Sequence, residues 1–292
     1  VISVMGDESS VLNAIQAGAG GYLLKDSDDA AIVAAIEQLL QGGAPLSQHH
    51  RDMWAWAWGV VPGVQVPPFF GIWARGAAKS TTAERIVSML GALEKRRYVA
   101  YVCATQEQAD DHVDAIAAIL ESPTIQRHYP SLGRRMLGKY GASKGWRRSR
   151  IRSASGFTVD AFGLDTAMRG KRIEDARPDF FVLDDIDDSS DSTATVKKKI
   201  KTLTGTILGA GSTDRAVLFI QNLIHEESIA NQLVTGELKI LSNRITSGPH
   251  PAVVDLETEQ QPGEHGTVRD VIVGGRATWE GQDLPKCQAL ID

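Results

Sequence analysis

Cysteine is scarce: the 292-residue chain has two, Cys103 and Cys287. Thiols that far apart suggest neither a disulfide framework nor a zinc site, and they suit a reducing compartment. No apolar run is long enough to span a bilayer and no signal peptide is visible, so no membrane partner is expected and cytoplasmic residence is. Net positive charge is missing as well. The balance of 31 Lys and Arg against 36 Asp and Glu leaves −5, which argues against wholesale coating of nucleic acid but allows a local basic patch. Such a patch is marked by another absence: from Pro123 to Val159 there is no acidic residue. The stretch holds Arg127, Arg134, Arg135, Lys139, Lys144, Arg147, Arg148, Arg150 and Arg152, with Tyr140 and Trp146 between them. Cations neutralise backbone phosphates and aromatics stack on bases. Lys144, Arg147, Arg148 and Arg150 are therefore the expected nucleic-acid contacts, although a solvated basic loop packed on acidic neighbours has the same composition.

With 42% hydrophobic and 23% charged residues, the composition is close to the globular average and a packed core is feasible. The length fits one large or two medium domains. The most informative stretch runs from Pro68 to Glu84. An apolar segment, Phe69-Phe70-Gly71-Ile72-Trp73, leads into the small-residue turn Ala74-Arg75-Gly76-Ala77-Ala78, and Lys79-Ser80-Thr81 opens a helix. A phosphate-binding loop is built in this order: turn amides face the anion, Lys reaches the β/γ-phosphates and the hydroxyl binds Mg²⁺. The standard pattern, however, places Gly six residues before and one residue before the Lys, where Trp73 and Ala78 stand here. Thr81 and Glu84 also make a capping box, so Lys79-Ser80 can be read as an ordinary helix entry.

Residues 1–48 alternate strand and helix patterns: Val1 to Met5, Asp7 to Gly18, Gly20 to Asp26 and Ala30 to Leu40. That alternation implies a parallel α/β unit. Ser3 at a strand end, the run Ala17-Gly18-Ala19-Gly20-Gly21-Tyr22-Leu23-Leu24-Lys25-Asp26 and the last helix resemble the second half of a response-regulator receiver domain. In that family a Ser/Thr and a Lys sense a phosphoaspartate, which the resemblance assigns to Ser3 and Lys25. The acidic pocket would lie upstream, so no working phospho-switch is expected. The chain starts at Val1 and stops at Asp292, and both ends read as cut.

After a seam at Gly42-Gly43 come three tryptophans at spacing two, Trp54, Trp56 and Trp58. They fit a strand face or an apolar wedge, serving core packing or an adenine platform. Beyond Lys79 the pattern predicts a helix to about Leu93, a strand over 98–105 and a helix over 106–121. Further strands are expected over 157–162, 180–183, 216–220 and 238–244, and further helices over 195–208 and 226–233. A hairpin is expected around Gly274-Gly275, and residues 247–266 read as a linker or mobile loop. Phe180-Phe181-Val182-Leu183 delivers Asp184-Asp185 to a strand end, where ligands of open α/β sheets bind. Two acids there can hold Mg²⁺ and polarise water, or simply cap a turn. Ala216 to Ile220 delivers Gln221-Asn222 in the same way.

Taken as a series, Arg75-Gly76-Ala77-Ala78-Lys79-Ser80-Thr81, Ala104-Thr105-Gln106, Arg169-Gly170, Arg177-Pro178-Asp179, Asp184-Asp185, Gln221-Asn222 and His225-Glu226 resemble the ATPase domain of tailed-bacteriophage terminase large subunits. The likeness covers residues 49–292. It implies an ASCE-type P-loop NTPase fold, a mostly parallel sheet flanked by helices, over 49–250. Residues 251–292 would then be a linker and hairpin leading toward an absent nuclease domain, so no DNA cutting is expected. By that resemblance ATP and Mg²⁺ are the cofactors. Gly76, Ala77, Ala78, Lys79, Ser80 and Thr81 cradle phosphates, and Arg75 senses the γ-phosphate. Ser80 and Asp184 bind the metal. Asp185 takes the place of the family's catalytic Glu one bond short, and Asn222 takes the coupling position usually held by Ser/Thr. Double-stranded DNA, a portal protein, a small terminase subunit and a homo-oligomeric ring are the implied partners. Two other readings stand beside it: a signalling module derived from a receiver, and an inactive chimaera joined near residue 48.

Overall fold

The computed structural model describes residues 46–164, 176–262 and 267–291, together with the backbone of two short strands, Ile2–Ser3 and Leu23–Leu24, which pair in parallel. Ser3 belongs to that pair, while Lys25 and the Arg169-Gly170 loop lie outside the described residues. The chain divides into two compact units, one of residues 55–251 and one of residues 1–54 with 252–292.

The larger unit is built on a seven-stranded sheet. Its strands, in chain order, are β1 (Phe69–Trp73), β2 (Tyr98–Cys103), β3 (Arg150–Arg152), β4 (Thr158–Gly163), β5 (Phe180–Asp184), β6 (Ala216–Gln221) and β7 (Ile245–His250). Their spatial order is β3-β4-β2-β5-β6-β1-β7. All pairings are parallel except the edge pair β3–β4. Strands β1, β2, β4, β5 and β6 are buried along their whole length, as expected for parallel strands covered on both faces.

Alternate strand residues point to opposite faces. On one face Phe70, Ile72, Val102, Phe181, Leu183, Val217 and Phe219 pack against Val196, Leu203, Ile207, Ile229 and Leu233. The opposite parity on β5 is Phe180, Val182 and Asp184, so the period that buries two apolar residues also carries a carboxylate to the strand end. Helices α2 (Lys79–Ala92) and α3 (Gln106–Leu120) pack on each other, α2 against β6 and α3 against β2. The second of these helices opens on a capping box in which the Thr105 side chain accepts from the Gln108 amide. Its buried stripe Ala109, Val113, Ile116 and Leu120 follows the helical period.

Several expectations are corrected. The tryptophan segment is not a strand but helix α1 (Gln48–Trp58). Trp56 donates to the Pro67 carbonyl at 2.8 Å and packs on Phe69 and Phe180. Those are the first residues of β1 and β5, at the sheet end opposite the turn over residues 74–78, so Trp56 packs in the core and not at the end where an adenine platform was expected. Residues 238–244 form no strand, and the strand comes next, at β7. The expected mobile stretch is largely ordered pairing: Val253–Pro262 (β8) runs antiparallel to Val268–Ala277 (β9). Gly274-Gly275 is therefore not the turn of a hairpin but lies within β9, beside an irregularity in register. The Thr81–Glu84 capping box is not formed either. Helix α2 begins at Lys79 with Ala78 as N-cap and no side-chain cap.

Candidate functional site

Strand β1 ends at Trp73, and the chain then turns through residues 74–78 before α2. Gly76 has φ 83° and Ala78 has φ 53°, ψ 30°. Both are left-handed, which glycine adopts freely and alanine at a cost of about 1–2 kcal/mol. Lys79 is buried. Its ammonium folds back to donate to the Ala74 carbonyl at 2.9 Å. Burial lowers its pKa, and the charges of Asp185 and Asp184 oppose that shift. Electrostatics thus joins the turn at the end of β1 to the acids at the end of β5, with β6 between them. Arg75, Gly76 and Thr81 are exposed, Ala77 is buried, and Ser80 is half-buried.

Asp184 is completely buried. Its Oδ2 accepts from the Tyr101 hydroxyl at 2.7 Å and lies 3.5 Å from His112 Nε2. Burial pushes its carboxyl up to about 6, the Asp185 charge adds to this, and His112, Tyr101 and the Ser80 hydroxyl act against it. Its second oxygen, Oδ1, has no hydrogen-bond partner among the described residues, and the same is true of Asp185 Oδ1. Asp185 adopts φ 44°, a conformation Asp tolerates better than most residues but which still costs energy. Nearby, Gln221 accepts from the Asp187 amide through Oε1 at 3.3 Å. Gln221 Nε2 and His225 Nε2 are buried without partners among the described residues, and Asn222 is half-buried just after β6.

Buried polar atoms normally find partners, and an orphan costs about 1–3 kcal/mol. Two carboxylate oxygens and an amide nitrogen, orphaned beside one buried ammonium, are donors and acceptors left for something the protein does not itself supply. No group of three or more His, Cys, Asp or Glu forms a metal cage among the described residues. Mg²⁺ needs no such cage, because it is usually held by one or two protein oxygens plus phosphates and water. Asp184 Oδ1 and the Ser80 hydroxyl fit that requirement.

Sequence reasoning missed two neighbours of Asp184, Tyr101 and His112, and the Glu84 that holds one of them. His112 Nδ1 stands 2.7 Å from Glu84 Oε1, and its ring stacks on Tyr101 with centroids 5.0 Å apart. Burial would lower the His112 pKa, but the hydrogen bond to Glu84 and the charges of Asp184, Glu84 and Asp185 outweigh it and the pKa is raised. Lone His, Tyr and Glu residues on separate elements carry no motif, so no local signal marks them. The acidic run also divides by role. Asp187 accepts from the Ile229 and Ala230 amides at 2.9 and 2.8 Å, and Asp191 pairs with Lys199 at 2.5 Å.

The basic segment is divided in the same way. Arg150 makes a two-point ion pair with buried Asp160 at 2.5 and 2.6 Å, Arg148 pairs with Asp111, and Arg135 with Glu121 at 2.7 Å. Lys144 and Arg147 are exposed.

No family model matches the chain. A 44-residue stretch in the N-terminal region is 46% identical to the transcriptional regulatory protein DegU of Brevibacillus brevis. It takes in 15% of this chain and 19% of that protein, so the chain matches about a fifth of the relative's length. The match supports a regulator-like stretch in the N-terminal region. The terminase likeness draws no support from it.

Proposed function

We propose that residues 49–250 form the ATP-hydrolysing motor domain of a terminase-like DNA-packaging protein. The observation that carries this reading is the meeting of Lys79, Ser80, Asp184, Asp185 and Gln221 at the C-terminal ends of β1, β5 and β6. A buried ammonium there feels two carboxylates whose outer oxygens are unsatisfied. The strand interposed between phosphate turn and acid strand fits the ASCE type of P-loop fold. Ligands of open α/β sheets lie beyond these strand ends.

In this reading the turn amides and Lys79 bind the β/γ-phosphates, and Arg75, exposed on the turn, approaches the γ-phosphate. Ser80 and Asp184 Oδ1 hold Mg²⁺, which when bound neutralises charge on the phosphate oxygens. Asp185 Oδ1 accepts a hydrogen bond from the attacking water and orients it, while Gln221 and Asn222 report on the γ-position. Little covalent chemistry falls to the protein, so positioning and charge stabilisation provide the rate. Lys144 and Arg147 provide contacts to duplex DNA. By the same resemblance the working form is a ring of copies with a portal protein and a small subunit. The DegU match favours a second component, a regulator-derived N-terminal stretch joined to the motor unit.

The test is Mg²⁺-dependent ATP turnover by the full chain. Slow hydrolysis is expected, falling by about 100-fold or more in Lys79→Ala. Equal turnover in the two proteins removes the motor reading.

A further inference from the structure

Tyr101 and His112 both approach Asp184 at one oxygen, Oδ2, and the Ser80 hydroxyl also acts on the carboxyl. Tyr101 Oη is 2.7 Å from Oδ2, and His112 Nε2 is 3.5 Å from the same atom. Oδ1 receives nothing from the described residues although the side chain is fully buried. The Tyr101 hydroxyl thus holds the carboxyl from the Oδ2 side and leaves Oδ1 facing away from it. Tyr101 is itself held: it is fully buried in β2, its ring stacks on His112, and His112 is anchored by Glu84 on α2 at 2.7 Å. Glu84 sits on the helix that Lys79 and Ser80 open. The bracing therefore runs from the phosphate-turn helix through His112 and Tyr101 to the acid strand.

We propose that Tyr101 is a positioning residue for Asp184: its hydroxyl, braced by His112 and Glu84, fixes Oδ2 so that Oδ1 is left to the cation. This rests on the nucleotide reading above. Tyr101 touches neither phosphate nor metal. It acts by removing a rotation that the carboxylate would otherwise lose on binding, and by holding the outer partner whose loss commonly costs 10–100-fold in metal affinity.

The same strand supplies a matched control. Tyr98, three residues earlier on β2, donates to buried Asp160 at 2.7 Å. That is the same hydroxyl-to-carboxylate bond, at the far end of the strand. Tyr98→Phe and Tyr101→Phe therefore remove equivalent bonds, and only one of them is at the site.

The experiment measures Mn²⁺ binding by electron paramagnetic resonance to the full chain with a non-hydrolysable ATP analogue, and nucleotide binding without metal. Tyr101→Phe is expected to weaken Mn²⁺ binding by about tenfold with metal-free nucleotide affinity unchanged. Tyr98→Phe is expected to leave both unchanged, and thermal melts report that each variant folds. Equal Mn²⁺ affinity in wild type and Tyr101→Phe overturns the positioning role and leaves the nucleotide reading standing. An equal loss in Tyr98→Phe overturns it too, since the effect is then general to the strand. Wild-type chain that binds no Mn²⁺ with the nucleotide overturns both.

Discussion

On the proposed nucleotide reading, Asp184 sets function against stability within one side chain. Its carboxyl has been pushed up to about 6 from 3.8, chiefly by burial. Between those values the folded chain keeps a proton that the unfolded chain has released. The contribution to stability is thus fully present below pH 3.8 and is lost as the pH rises through about 6. At neutral pH the ionised group costs on the order of 3 kcal/mol. Asp184→Asn keeps the shape and removes the charge. Urea melts of the variant should show a higher midpoint than wild type at pH 7.5 and a much smaller difference at pH 4. Metal-dependent hydrolysis should be lost at both. A variant less stable than wild type at pH 7.5 contradicts this account. The acid was legible because four apolar residues followed by two carboxylates is a strand pattern with its chemistry at the tip. The turn before Lys79 was harder to read because letters were matched where conformation matters. Trp73 is simply the last residue of β1, where no glycine is needed. Ala78 holds the left-handed conformation that usually selects glycine.

Elements with a single strong period were readable, and those defined by pairing were not. The buried strands β2, β5 and β6 and the helix α3 fall within a few residues of their expected places. Residues 195–208 read as one helix, but the α-helix ends at Thr202 and continues as a π-turn over Leu203–Ile207 and a 3₁₀ turn over Leu208–Ala210. No residue type signals that change. Strand β7 was missed because its alternation is weak, and β8 because its polar, exposed sequence looks like linker, while the Gly274-Gly275 pair inside β9 was read as a hairpin turn. One element-scale device was equally silent. Asp187 joins the loop after β5 to the start of the helix Ile229–Thr235 by accepting two backbone amides. Its own amide is held by Gln221. Asp187→Ala leaves two buried N–H groups without an acceptor, a cost on the order of 2–3 kcal/mol. Hydrogen exchange at Ile229 and Ala230 should accelerate well beyond that of the β6 amides. Unchanged protection at those two positions would mean the tie does not hold the segment.

On the scale of the whole molecule the issue is how a chain of net charge −5 would hold a polyanion. The answer lies in which cations are already committed. Arg150, Arg148 and Arg135 neutralise carboxylates of the same chain, so counting the basic segment overstates what it offers to DNA. Lys144 and Arg147 are exposed, with no ion pair to a described residue. Each phosphate contact contributes about one to the slope of log affinity against log salt. Lys144→Ala with Arg147→Ala should therefore lower the slope for duplex DNA by about two and weaken binding alike on unrelated sequences. Arg150→Ala should act elsewhere: among the described residues it leaves the buried Asp160 carboxylate with Tyr98 to donate, at a cost of roughly 3 kcal/mol in stability, with little change in the slope. Salt titrations by fluorescence anisotropy, paired with urea melts, separate the two. If Arg150→Ala lowers the slope and the double variant does not, the ion pair to Asp160 gives way on DNA and the division of the basic segment drawn from its partners is wrong.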